Sequence, residues 1–343
     1  MRALIVGAGA VGCYLAARLR LGGHDVALIG RQTSVDALRG NGITLRIGND
    51  EWPVSVSAAA DPADLRVRDP FELAIVAVKS FATSGAIETL RATPGAREST
   101  VLCVQNGLGN EELLASAFGA DRIAAGALTT AVELADASTV VAAPRGGMSF
   151  APVGAVPHNW LIAAFENTGM PMRAAGDWNA LKWSKLCINL IANGVCAALD
   201  WMPAQVYGDP AAFGVERAML VEAAATMGRL GITPIGLVDF SVPALVGAIR
   251  MLPATMLRAV LARRAGSARG GKLPSLLADL RRHRAVTEIG ALNGAVAERA
   301  ERAGIAAVAN ATIARVVAGI ASGALDWDRF RAQPQALVAE MAA

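Results

Sequence analysis

Residues 3 to 6 (ALIV) are a short apolar run that passes directly into Gly7-Ala8-Gly9-Ala10-Val11-Gly12, and residues 14 to 21 then carry apolar side chains at helical spacing. The pattern predicts strand, tight turn and helix in immediate succession. Gly7 permits the turn, Gly9 lets the backbone come up to a pyrophosphate, and Gly12 lets the helix pack closely on the strand. Phosphates would rest on the free N–H groups at the helix N-terminus. Glycine-rich turns are common in a chain with 35 glycines, so the specificity lies in the context: strand before, helix after, and a second apolar strand at residues 25 to 29. A parallel α/β sheet built to hold a dinucleotide is the expectation. Arg2 followed by apolar residues has the outline of a signal peptide, but the glycines at 7, 9 and 12 interrupt any continuous hydrophobic helix.

The residue that closes the second strand normally selects the cofactor, because an acidic group there hydrogen-bonds the ribose 2′-hydroxyl of NAD. Here Gly30-Arg31 occupies that place. A guanidinium can pair bidentately with a 2′-phosphate, which points to NADP(H); the alternative reading of Arg31 is a solvated surface arginine. Residues 73 to 78 (LAIVAV) have the continuous apolar character of a parallel strand buried on both faces, and deliver Lys79 at the carboxyl end, where such sheets bind ligands. Residues 101 to 104 repeat the pattern and deliver Gln105-Asn106-Gly107. Asn106 could face a ribose or a substrate, or Asn106-Gly107 could simply be a turn.

The chain's 343 residues suffice for two domains. With 54% apolar and 18% charged residues and a net charge of +3, the chain is neither disordered nor a coat for nucleic acid. Cys13, Cys103, Cys187 and Cys196 contain no CxxC pair; they suggest reduced thiols in a cytoplasmic protein and no metal site. The charge-free runs are too short, or too broken by proline, to cross a bilayer. Gly176-Asp177 reads as a boundary followed by an N-capped helix, beyond which the character turns mostly helical. The expected architecture is a sheet domain over 1–176 and a helical domain over 177–343.

In the second half, Lys185, Asn189 and Asn193 fall at i, i+4 and i+8, which predicts one polar stripe along a helix with apolar neighbours. Buried amides without partners are costly. Either a polar ligand or another helix would satisfy them. An ammonium in an apolar setting has a lowered proton affinity, so Lys185 is the candidate general acid. Glu288, just beyond the basic run 281 to 284, is a second acid–base candidate, although taken alone it reads as a solvated helix residue; Ser275 taken alone reads as a loop or capping serine.

GAGAVG, Gly30-Arg31, VKS at 78 to 80, QNGLGNEE at 105 to 112, WSKLCINLIANG at 183 to 194 and TEIGALNG at 287 to 294 together resemble the ketopantoate reductase (2-dehydropantoate 2-reductase) family, in its order and over nearly the whole chain. The resemblance implies an N-terminal Rossmann domain, a helical C-terminal domain and NADPH between them. It implies nucleotide contacts from residues 7 to 12 (Gly7, Ala8, Gly9, Ala10, Val11 and Gly12), Arg31, Lys79 and Asn106. Lys185 would protonate the ketone oxygen, Glu288 would support that lysine and the substrate, and Asn106, Asn189, Asn193 and Ser275 would hold the substrate. The implied reaction is the NADPH-dependent reduction of ketopantoate to pantoate in pantothenate biosynthesis. The chain departs from the family where TEIDYLNG becomes TEIGALNG, putting Gly290 and Ala291 in place of Asp and Tyr, and where Lys272 replaces an asparagine. Lys272 and Gly290 keep open a reductase of another 2-oxo acid or a 3-hydroxy acid dehydrogenase on the same scaffold; a non-catalytic NADP-binding sensor is a further rival, against which Lys185 and Glu288 argue. The apolar stretch 235 to 261 is expected to be helical core, with a larger pocket or a homodimer interface as the alternatives. No nucleic acid or membrane partner is expected.

Overall fold

The computed structural model describes residues 1–65, 69–269 and 273–342. They form two compact units. The first comprises Met1–Gln105, Gly109–Lys182 and Leu237–Phe240, the second Asn106–Leu108, Trp183–Gly236 and the chain from Ser241 onward. The main passage between these units falls between Lys182 and Trp183, inside the helix that begins after Asp177. Lys272 lies outside the described residues.

The strands of the first unit are β1 Arg2–Val6, β2 Asp25–Ile29, β3 Ile43–Ile47, β4 Asp50–Val54, β5 Ser57–Ala59, β6 Leu73–Val76, β7 Thr100–Cys103, β8 Ile123–Leu128, β9 Val132–Leu134, β10 Thr139–Ala142, β11 Met148–Pro152 and β12 Met172–Ala174. Its helices are α1 Ala10–Leu21, α2 Gln32–Asn41, α3 Thr83–Ala92, α4 Asn110–Phe118 and α5 His158–Phe165. The large sheet runs β12-β11-β8-β7-β6-β1-β2-β5. From β5 to β8 every pairing is parallel, and β11 joins β8 antiparallel. Along those parallel strands the chain order is third, second, first, fourth, fifth, sixth, so it reverses between β1 and β6, where sheets of this kind open a crevice for a nucleotide. The apolar runs behave as expected of doubly covered strands. Ala3 and Ile5 enter one core with Leu28 and Ile75, and Leu4 and Val6 enter the other with Ile29 and Val76.

A second sheet, β4-β3-β10-β9, was not expected from the sequence. Its strands are short and half-exposed, with Leu45 and Val140 among the few positions turned into the core, so no continuous apolar run announces them. The remote segment Leu237–Phe240 is fastened to the first unit by two hydrogen bonds: the Asp239 carboxylate accepts from the Gly146 amide at 2.9 Å, and the Val238 amide donates to Ser149 Oγ at 3.1 Å.

Helix α6, Trp178–Leu190, leads out of the first unit with Asp177 as its cap, accepting from the amides of Asn179 and Ala180 at 2.8 and 3.1 Å. The second unit continues with α7 Gly194–Leu199, α8 Pro203–Gly208, α9 Pro210–Arg229, α10 Val242–Met251, α11 Ala254–Arg269, α12 Ser275–Arg281, α13 Asn293–Arg302, α14 Val308–Ser322 and α15 Pro334–Ala342. The 20-residue α9 is packed by α8, α10, α13, α14 and α15, and buries Met219, Leu220, Ala223 and Met227. Pro243 sits in the first turn of α10, where its missing N–H costs nothing. Within the apolar stretch Val242, Leu245, Val246, Ile249, Leu257 and Leu261 are core, whereas Met251 and Met256 are exposed. No described helix is long and apolar enough to cross a membrane.

Candidate active site

In the first unit the glycine turn lies at the point where the strand order reverses. Gly7 has φ +121°, and a Cβ on it would come within 2.8 Å of the backbone of Ala77 and Val78, the residues that follow β6. Gly12 is constrained harder, since a Cβ there would lie 1.8 Å from the Gly7 carbonyl oxygen. Gly9, at the N-cap of α1, has nothing within 4 Å of an added Cβ. The turn is therefore closed on its protein side and open over Gly9 and the first amides of α1, which is the cradle a pyrophosphate needs. Ala8, Ala10 and Val11 complete it. Arg31 is exposed at the N-cap of α2, after Gly30, whose amide donates to Ala59 at 3.1 Å. Lys79 is exposed just past β6. The residues present thus fit an NAD(P)H dinucleotide.

In the second unit the structure joins four of the candidates into a chain of hydrogen bonds. Asn189 Nδ2 donates to Asn106 Oδ1 at 3.0 Å, and Asn193 Nδ2 donates to the Asn189 carbonyl at 3.1 Å. Asn193 Oδ1 accepts from the Leu276 amide at 3.1 Å and from Ser275 Oγ at 3.4 Å. Lys185, half-buried like Asn189, stands one turn earlier on α6. Glu288 is 4% exposed and opens a single 3₁₀ turn whose Ile289 amide donates to Thr287 Oγ1. The segment after it is held by a buried relay in which Asn293 Nδ2 donates to Asn310 Oδ1 at 3.0 Å, while the amides of Ala309 and Asn310 donate to the Glu222 carboxylate.

The expected stripe of three on one helix needs correction. α6 stops at Leu190, and Asn193 is the residue before α7, not a third position on the same face. Ala192 adopts φ +46°, and its amide donates at 3.0 Å to Glu216 Oε1 instead of continuing the helix; the same oxygen accepts from Tyr207 at 2.6 Å. Asn193 nevertheless reaches back to Asn189, so the amides stay together. Glu216, fully buried, was passed over in the sequence, as were Lys182 and Glu111, an ion pair at 2.8 Å in the first unit. Glu216 and Lys182 carried a signal, a charged residue beside apolar neighbours, whereas Glu111, between Asn110 and Glu112, carried none. Lys182 Nζ also donates to the Gln105 carbonyl. Burial acts to lower the Lys182 pKa, but Glu111, Cys103 and Glu112 outweigh it and hold the ammonium above its ordinary value.

The first unit carries a dinucleotide cradle and the second a set of amides and a lysine suited to an oxygen-rich substrate, and the comparisons agree with that class. Residues 3–154 match the ketopantoate reductase PanE/ApbA family and residues 177–321 its C-terminal region. The chain belongs to this family. A 2-dehydropantoate 2-reductase of Archaeoglobus fulgidus is 26% identical over 329 residues, covering 94% of this chain and 98% of that protein. The crystal structure of a PanE/ApbA family ketopantoate reductase from Ralstonia eutropha JMP134 superposes with a TM-score of 0.79 at 27% identity, covering 94% of this chain and 99% of the other. A D-mandelate dehydrogenase solved with NADH and anilino(oxo)acetate shares the fold at a TM-score of 0.78 and 19% identity, over 94% of this chain and 99% of that one.

Proposed function

We propose that this protein reduces the ketone of a small 2-oxo acid with NADPH, and that ketopantoate, giving pantoate for pantothenate synthesis, is its substrate. The hydrogen-bonded run Asn106–Asn189–Asn193–Ser275, with Lys185 one turn away, carries the reading. In this proposal residues 7 to 12, Arg31, Lys79 and Asn106 hold the nucleotide, with Arg31 taking the 2′-phosphate. Bound NADPH supplies the hydride. The asparagines and Ser275 bind the acid's carboxylate and hydroxyl groups and fix the ketone in one orientation. Lys185 gives its proton to the ketone oxygen as negative charge builds there, and Glu288 orients the ammonium for that transfer.

A second reading, another 2-oxo acid on the same machinery, is favoured by Gly290 and Ala291. A Cβ added at Gly290 meets nothing within 4 Å, so the position where the family carries Asp is open here. NADPH absorbance is followed with ketopantoate, a panel of other 2-oxo acids and NADH in parallel. Oxidation of NADPH by ketopantoate in preference to the panel is the expected outcome. Turnover of a bulkier acid alone transfers the function to the second reading, and no turnover with any acid defeats both.

A further inference from the structure

The buried ion pair of the first unit has no place in the nucleotide cradle. Glu111, in the first turn of α4, is 0% exposed and Lys182 is 1% exposed. The desolvation cost of two such ions is about matched by their attraction, and an apolar pair of the same volume commonly serves stability as well or better. An apolar pair could not, however, grip a particular carbonyl. The Lys182 ammonium grips that of Gln105. The Gln105 side chain is fastened separately, its Nε2 donating to Thr83 Oγ1 at 2.9 Å, and Thr83 Oγ1 lies 2.9 Å from Asn110 Oδ1. Gln105 is thus fixed through both backbone and side chain, and the next residue is Asn106, whose Oδ1 accepts from Asn189.

We propose that Glu111 and Lys182 are positioning residues for substrate binding: by holding the Gln105 carbonyl they set the backbone from which Asn106 presents its carboxamide. The consequence for activity rests on the 2-oxo acid reductase reading. Removing one partner alone would strand a buried charge, so the test replaces both, as Glu111→Leu with Lys182→Met, alone and together with Asn106→Ala. The double variant should lose tenfold or more in kcat/KM for the 2-oxo acid while its melting temperature stays near that of the parent. In the Asn106→Ala background the same two changes should cost less than twofold, because their route to the substrate is already gone. Unchanged kcat/KM, or losses that simply multiply with that of Asn106→Ala, would overturn the proposal. If the double variant does not fold, Lys182→Arg keeps the charge but misplaces the donor, and wild-type kcat/KM in that variant overturns it equally. The side-chain amide signal of Asn189, read by NMR on asparagine-labelled protein, should shift in the double variant whether or not any 2-oxo acid is turned over. A shifted signal without turnover therefore counts against the functional reading, and an unmoved signal counts against the positioning role.

Discussion

Lys185 and Asn189 are both half-buried, one turn apart on a helix whose Leu186, Cys187 and Leu190 are fully packed, and that contrast made them legible in the sequence. Replacing Lys185 with Ala should lower kcat by about 10² to 10⁴-fold, the usual contribution of a positioned proton donor. NADPH affinity, measured by quenching of fluorescence, should be nearly unaffected. Wild-type turnover in Lys185→Ala would remove this lysine from the mechanism. Lys182, three residues earlier, escaped notice for a physical reason. A lysine beside a tryptophan reads as a side chain that snorkels to solvent, and only Glu111, 71 positions upstream in sequence, makes its burial tolerable.

At the scale of elements, the strand–turn–helix at the start was fully readable, because each of its glycines answers a local steric demand. Two of them should part company on substitution. Gly12→Ala drives a methyl to within 1.8 Å of the Gly7 oxygen, so it should destabilise the fold by about 1–3 kcal/mol, as overpacking does. Gly9→Ala meets no protein atom within 4 Å and has φ −92°, so its melting temperature should hold while NADPH binding weakens about tenfold or more. Equal behaviour of the two in thermal melts and nucleotide titrations would contradict a cradle over Gly9. The break after α6 was not readable, since the left-handed conformation falls on an alanine and is imposed by Glu216, a residue from a different helix. The four-stranded sheet was hidden because its strands are short and expose many of their positions, so that only scattered residues such as Ile43, Leu45 and Val140 enter the core shared with α1 and one face of the large sheet.

Across the whole molecule all four cysteines are buried thiols outside any disulfide, two in each unit. Burial pushes the Cys13 and Cys187 thiols up to about 12, and burial together with Glu111 raises Cys103 well above its ordinary value. A disulfide reagent at pH 8 should label none of the four in the native protein and all of them in guanidinium. The folded chain keeps these protons where the unfolded chain releases them, so stability from this source is intact below 9.0 and falls as pH climbs toward about 12. Lys182 acts in the same direction, holding its proton in the folded state beyond the ordinary lysine value. Melting temperatures measured upward from pH 8 should therefore decline, and a flat profile would contradict the burial of the thiols. The segment Leu237–Phe240, stitched to Gly146 and Ser149 from far downstream, has a different kind of consequence. No single cut in the gene yields an intact nucleotide-binding half: a fragment ending after α6 loses a clasp encoded more than forty codons later, so grafting or recombining these halves would have to move two separate pieces at once.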